Sequence, residues 1–338
     1  MALKIGILGA ARIAPTALLA PARRLAEVEV AAIAARDPAR ARSFARRHGI
    51  PRALESYAAL VEDPELDAIY NPLPNSLHCE WTLRALAAGK HVLCEKPLAS
   101  NAAEAERMAA AAQTSGRVLV EAFHWRYHPL ADRMLEIVRS GQLGRIERLE
   151  ASFCVPLFRP GDIRFRRELA GGATMDLGCY TIHMLRTLAA AEPEVMWARA
   201  RLSSPGVDRF MEAELRFPDG SIGRLRCSLA SIRVLQMSLR VQGDRGRLHV
   251  INPTAPHLWN RLSVRTREGH HTERVPGDAT YLYQLRAFHE RVGGGPELPT
   301  EFANAISNLR VIDAVYRAAG LEPHGPGPAA ATSGAGSF

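Results

Sequence analysis

Lys96 is one of only three lysines in a chain whose 43 basic residues are otherwise arginine. It stands in Glu95-Lys96-Pro97, directly after the apolar run His91-Val92-Leu93-Cys94. Arginine stays protonated at any accessible pH and can only hold an anion, whereas a partly desolvated lysine can be tuned to give and take a proton. Lys96 therefore reads as an acid/base. A second set of side chains lies in Gly171 to His183, where a helix from Thr174 to Leu188 puts Asp176, Tyr180 and His183 at i, i+4 and i+7. That spacing shares one helix face, so three hydrogen-bonding groups can converge on one point. The flanking Met184 and Leu185 read as core.

An acid/base of this kind suits the proton that must leave or join an oxygen when a hydride moves at the adjacent carbon, and the N-terminus offers a frame for the hydride carrier. Leu3 to Leu8 reads as a short buried strand running into Gly9-Ala10-Ala11-Arg12-Ile13-Ala14 and then a helix. A strand, a tight turn and a helix start bind a dinucleotide pyrophosphate on free backbone N–H groups and the positive end of the helix dipole. Gly9, Ala11 and Ala14 hold the three glycine places of that pattern, so Gly9, Ala11, Arg12 and Ile13 are expected to border the pyrophosphate. The next strand, Val28 to Ala34, ends in Ala35-Arg36-Asp37, where NAD-type sites place an acid on the ribose 2′-hydroxyl. Arg36 suits a 2′-phosphate instead, which favours NADP over NAD; the alternative makes Arg36 a solvated loop cation and Asp37 the ribose acceptor. Leu73, Asn75 and His78 follow the short strand Ala68 to Tyr70, at the carboxyl end where such sheets bind ligands. They are expected to flank the cofactor, although His78 also fits a helix start.

Strand and helix alternate through the first third, with helices expected at Ala39 to His48, Leu77 to Ala88 and Asn101 to Thr114, which argues for a parallel sheet with crossover helices. After a bridging helix from Leu130 to Arg139 the pattern changes to period-two runs, Arg148 to Val155, Met211 to Phe217 and Gly223 to Leu229, that read as antiparallel strands with one face covered. Two late helices, Tyr281 to Arg291 and Phe302 to Ala319, close the fold. The expected organisation is α/β throughout, with a dinucleotide-binding domain over 1–122, a substrate-binding and oligomerisation domain over 123–320, and a Gly, Pro, Ala and Ser-rich tail over 321–338 too poor in apolar surface to be ordered.

Composition excludes several other classes. No stretch approaches the roughly 20 apolar residues of a membrane helix, and no signal peptide opens the chain. Five cysteines without a C-x-x-C pair make a reduced, cytoplasmic location the expectation. A net charge of +8 raises nucleic-acid binding, but the arginines spread over every expected helix and aromatics make up only 6%. His124 and His128 form an i, i+4 pair with no intervening glutamate, no third ligand and Pro129 directly after, so no metal is expected. Arg126 between them is the better candidate for touching cofactor or substrate.

Gly9-x-Ala11-x-x-Ala14, Leu73-Pro74-Asn75-x-x-His78, Gly89 to Pro97 and Gly171 to Tyr180 come in the order and spacing of the Gfo/Idh/MocA oxidoreductases, and the chain resembles that family over about residues 3 to 320. Tyr180 resembles the branch that holds glucose-fructose oxidoreductase, dimeric dihydrodiol dehydrogenase and NADP-dependent xylose dehydrogenase. The resemblance implies a Rossmann domain followed by an α/β domain with a large, mostly antiparallel open sheet, through which relatives form homodimers or homotetramers. It implies that Asp176 and Tyr180 lie across the active site from Lys96, that Glu95 contacts the nicotinamide ribose, and that Pro97 follows a cis bond.

On this reading Lys96 is the acid/base, its pKa lowered toward neutrality by desolvation and the nicotinamide cation. Tyr180 hydrogen-bonds the reacting oxygen or shares the proton transfer, and Asp176 orients Lys96 or binds a neighbouring hydroxyl. His183, Phe158, Arg164 and Tyr283 are candidate substrate-lining residues. The expected substrate is a secondary alcohol or ketone of a sugar, sugar derivative or cyclic diol. The alternatives are a reductase of a nucleotide-linked ketosugar and a non-catalytic dinucleotide-binding regulator of the same family, which would not need Lys96 and Tyr180.

Overall fold

The computed structural model describes residues 2–157, 161–231 and 235–325. Phe158 and the tail beyond residue 325 lie outside the described residues. Six strands, β1 (Leu3–Leu8), β2 (Val28–Ala34), β3 (Arg52–Leu54), β4 (Ala68–Asn71), β5 (His91–Cys94) and β6 (Leu119–Glu121), form a parallel sheet in the order β3-β2-β1-β4-β5-β6. Parallel strands covered on both faces must be apolar nearly throughout. Accordingly Ile5, Ile7, Ile69 and Leu93 have no exposed surface. The crossovers are α1 (Pro15–Leu19 in π form, continued by Ala20–Ala22), α2 (Pro38–His48), α3 (Tyr57–Val61), α4 (Asn75–Ala87) and α5 (Ala102–Ser115). Strand order reverses between β1 and β4, which opens a crevice at the carboxyl ends of the strands.

The second sheet contains β7 (Ile146–Cys154), β8 (Glu194–Ser204), β9 (Val207–Arg216), β10 (Ile222–Ser228), β11 (Gln236–Gly243), β12 (Gly246–Ile251), β13 (Arg261–Thr266) and β14 (His270–Glu273). Its order is β14-β13-β12-β11-β7-β10-β9-β8, and β7 with β10 is its one parallel pair among the described residues. The remaining helices are α6 (Pro129–Arg139), α7 (Cys179–Ala189), α8 (Thr280–Val292) and α9 (Phe302–Ala318). Leu149, Ala151, Leu225 and Leu239 of this sheet share a core with Met184 and Leu185 of α7 and Leu309 and Ile312 of α9.

The same core continues through α4 and α5 to one face of the first sheet. On the other face of that sheet a separate core joins α1 to Leu282, Leu285 and Phe288 of α8. The late part of the chain therefore returns to the dinucleotide-type sheet, where the Glu121 N–H also donates to Thr300 O at 2.9 Å. Order runs past residue 320, correcting the expected start of the tail: Asn101 Nδ2 donates to His324 O at 2.8 Å, and the His324 side chain is buried.

Strand alternation collects arginines that the sequence seemed to scatter over helices. Arg199, Arg224, Arg226 and Arg240 all lie on strands of the second sheet and pair there with Glu212, Glu214 and Glu150. These glutamates, with Arg148, Arg240, His249 and Arg261, lie on the sheet face without helices, whose trough has a volume of about 1190 Å³ bordered by Glu150 and these four.

Candidate active site

The site is assembled at the carboxyl ends of β1, β2, β4 and β5, faced by the segment around Asp176 and by α8. Gly9 ends β1 with φ +88°, and a Cβ there would lie 3.0 Å from Leu73 Cδ2. Its N–H donates to Ala34 O at 2.7 Å, pinning the turn to the end of β2. Beyond it the N–H groups of Ala11, Arg12 and Ile13 have no protein acceptor among the described residues, and the following helix has no side-chain cap. These are donors for an anion at a helix start. Asp37 is committed elsewhere, since its carboxylate accepts from Ala39 N at 2.9 Å as the N-cap of α2. Arg36 is exposed, with no carboxylate partner among the described residues. The turn thus fits a dinucleotide, and the β2 end fits a 2′-phosphate better than a bare ribose.

From β4, the buried Tyr70 donates its hydroxyl to Glu95 Oε1 at 2.7 Å. Burial raises the Glu95 pKa, although the Tyr70 hydrogen bond and Lys96 oppose the shift. The peptide bond between Lys96 and Pro97 is cis. Lys96 Nζ donates to Asp176 O at 2.8 Å, lies 3.3 Å from Asp176 Oδ1 and sits 4.8 Å above the centre of the Tyr180 ring. Burial by itself would lower the lysine pKa, but Asp176, Cys179 and Glu95 together outweigh it and the net shift is upward. The expectation of a lysine near neutrality is corrected on this point: with only protein groups around it, the amine is held as ammonium. Asp176 is lowered in turn, burial being overcome by Lys96 and by Arg164, whose Nε donates to Asp176 Oδ2 at 2.7 Å.

Asp176 does not sit on a regular helix. Thr174–Gly178 is π-helical and passes into α7 at Cys179, so the expected single face is lost. Wide turns of this kind recur at functional sites. Here Asp176 faces Lys96, while His183 is fully buried, its ring 4.2 Å from Phe123 and 5.4 Å from Trp125. His183 is a core residue.

Tyr180 Oη lies 3.0 Å from His124 Nε2, and His124 Nδ1 lies 2.8 Å from Thr280 Oγ1. The phenol pKa is raised well above its ordinary value, burial being the main cause. Tyr281 of α8 stacks on His124 with ring centres 4.1 Å apart. Tyr283, expected at the pocket, instead accepts from Asp278 N at 3.1 Å and packs edge-on to His128. Two residues further along, a helix turns its side chains by about 200°, so Tyr281 takes the position expected for Tyr283.

Other expected contacts have partners within the protein. His78 is fully buried, with Nδ1 2.9 Å from Pro97 O and Nε2 2.8 Å from Leu73 O. Burial lowers its pKa to about 4, and the neutral ring ties the Leu73 turn to the Lys96-Pro97 bend. Asn75 Nδ2 donates to Ala170 O at 2.9 Å. Arg126 pairs with Asp132 at 2.9 Å, and His128 caps α6 by accepting from Leu130 N. The structure adds Tyr70, His124, Thr280 and Tyr281 to the site, which their spacing along the chain does not group. The sequence signal for Tyr70 is its place near a strand end, and that for His124 is its i, i+4 spacing from His128.

Residues 3–123 match the GFO/IDH/MocA oxidoreductase family with its NAD-binding Rossmann fold, and residues 132–249 match the GFO/IDH/MocA C-terminal domain. The chain is similar to D-xylose 1-dehydrogenase (NADP(+)) 2 of Haloferax volcanii, with 36% identity over 93% of this chain and 96% of that one. It is similar to trans-1,2-dihydrobenzene-1,2-diol dehydrogenase of Sus scrofa, with 35% identity over 75% of each chain. Among solved structures, a 3-ketoreductase from Actinomadura kijaniata in complex with NADP and TDP-benzene aligns with a TM-score of 0.88 at 30% identity, over 94% of this chain and 98% of that chain.

Proposed function

This chain belongs to the Gfo/Idh/MocA oxidoreductase family, and from that premise we propose that it is an NADP(H)-dependent dehydrogenase of a sugar, sugar derivative or cyclic diol. The observation that carries the reading is the ammonium of Lys96 held between Asp176 and the Tyr180 ring, beside a strand end suited to a dinucleotide. Bound NADP(H) supplies or removes the hydride at a carbinol carbon. Lys96 and Tyr180 hold the oxygen on that carbon and give or take its proton. Asp176 keeps Lys96 charged and aimed, and Arg164 keeps Asp176 ionised. Glu95, braced by Tyr70, would contact the nicotinamide ribose. Gly9 with the N–H groups of Ala11, Arg12 and Ile13 would hold the pyrophosphate, and Arg36 the 2′-phosphate.

The similarity to a 3-ketoreductase that binds TDP-benzene supports a second reading, reduction of a nucleotide-linked ketosugar. A screen of NADP+ reduction against pentoses, hexoses, inositols and dihydrodiols tests the first; turnover confined to nucleotide-linked sugars would replace it with the second.

The protein is a homodimer or homotetramer built on the helix-free sheet face, working in the cytoplasm. That face carries reciprocal Arg and Glu side chains, and large apolar groups stand exposed at Trp197, Leu235 and Trp259. Sedimentation of the intact protein as a monomer would refute this assembly. The five cysteines, all buried and none in a disulfide, accord with a reducing compartment.

A further inference from the structure

A hydroxyl, an imidazole and a phenol form a continuous chain behind the proposed acid. Thr280 Oγ1 is 2.8 Å from His124 Nδ1, and His124 Nε2 is 3.0 Å from Tyr180 Oη. Thr280 has no exposed surface, and His124 and Tyr180 are each 6% exposed. The three come from three distant stretches: the 3-10 turn His124–Tyr127, α7 and the first residue of α8. Tyr281 stacks on the imidazole and fixes its plane. The charged or titratable groups that face this chain are Lys96 over the Tyr180 ring, Tyr281 from α8, His257 from the segment after β12, and Glu95, Asp176 and Cys179 beside Tyr180.

Burial, reinforced by Lys96 and His257, lowers the His124 pKa to about 3, so the ring is neutral at any working pH. A neutral imidazole has one N–H and one lone pair. Two arrangements satisfy all three groups. In one, Tyr180 donates to Nε2 and Nδ1–H donates to Thr280, so the phenol proton is spent on the protein. In the other, the Thr280 hydroxyl donates to Nδ1 and Nε2–H donates to Tyr180 Oη. Only the second leaves the phenol proton free for a third atom.

We propose that Thr280 holds His124 as the Nε2–H tautomer, and that His124 thereby directs the Tyr180 proton at the substrate oxygen. Both are positioning residues acting through Tyr180, and the inference rests on the reading of Tyr180 as a proton donor and acceptor given above. In the reducing direction the phenol O–H bond breaks as the product O–H bond forms. The phenolate left behind accepts from His124 Nε2–H and lies beside the Lys96 ammonium, and a proton from water restores the phenol when product leaves. No proton leaves His124.

Nitrogen-15 NMR of protein labelled at histidine, with the His124 signals assigned by loss in His124→Gln, reads the tautomer without any substrate. The proton is expected on Nε2; a proton on Nδ1 would overturn the proposal. In NADPH-linked turnover of the sugar or diol found in the screen, His124→Phe should lose at least ~10-fold in kcat with KM for NADPH unchanged, the scale of a misdirected reacting group. His124→Gln keeps an N–H near the position of Nε2 and should restore most of that loss. Full turnover in His124→Phe sinks the proposal if Tyr180→Phe is inactive. If Tyr180→Phe is fully active as well, the role given to Tyr180 fails with it.

Discussion

Lys96 shows how neighbours decide what a side chain can do. Desolvation pulls its pKa down, Asp176, Cys179 and Glu95 together pull it up further, and the balance leaves an ammonium ready to donate or to stabilise a negative oxygen. Replacing Lys96 with Met should cost at least ~100-fold in kcat, the size of lost acid/base help, with NADPH affinity nearly unchanged in a fluorescence titration. Full turnover would remove Lys96 from the reaction. On the proposed reading Arg36 chooses the cofactor, because Asp37 is already occupied in capping α2. Arg36→Ala should weaken NADPH by at least ~10-fold and leave NADH almost unaffected, as expected for a lost charge-assisted phosphate contact. Equal losses for the two cofactors would return the ribose to Asp37.

At the scale of elements, the π-helical turn Thr174–Gly178 depends on a buried anchor. Asp208 Oδ2 accepts from Thr174 N at 2.8 Å and from Thr174 Oγ1 at 2.7 Å, while Asp208 Oδ1 accepts from Tyr316 at 2.9 Å. Gly172 lies against this carboxylate with φ +134°, and a Cβ there would come within 2.2 Å of Asp208 Oδ1. Gly172→Ala should therefore lose ~2 kcal/mol or more of stability by chemical denaturation. Its kcat should fall as well, because Asp176 rides on the same turn. A variant with wild-type stability would show that the anchor is not needed. The strands and most helices that frame this turn were legible from apolar runs: β1, β2 and β5 end at the residues expected. The turn itself was not, because one residue of extra width in a helix leaves no mark in composition. That width separates His183 from Asp176 and sends it into the core.

The molecule as a whole combines buried bases that must stay neutral with a buried acid that must stay protonated. His78, His128 and His324 have pKa values near 4 and His124 near 3, all lowered by burial from 6.5. Folded protein then binds fewer protons than unfolded protein below pH 6.5, and this stability is lost as pH falls through 4. Glu121 is raised by burial from 4.5 to about 8. Its contribution is complete below 4.5 and is lost as pH rises through 8. These histidines, with His183 lowered by burial in the same way, outweigh Glu121 and make stability rise up to about pH 6.5, and Glu121 then makes it fall toward pH 8. Melting temperatures across this range should peak near 6.5, and Glu121→Gln should remove the alkaline decline. An unchanged decline in that variant would exclude Glu121 as its source.

What the sequence alone determined was the frame and its chemistry. Continuous apolar runs separated by helical patterns demand a parallel sheet, Gly9 demands a tight turn at its first strand end, and a rare lysine after β5 is the candidate for proton transfer. These are local consequences of residue type and order. The tertiary structure decided which groups meet: Tyr70 with Glu95, Arg164 with Asp176, and Thr280 and His124 behind Tyr180. It also turned His78, Asn75 and Arg126 toward protein partners, and set the lysine charge by the carboxylates around it. Those outcomes depend on distances between segments as much as 156 residues apart. Hydrogen bonds and pKa values follow spatial proximity, and spacing along the chain does not report it.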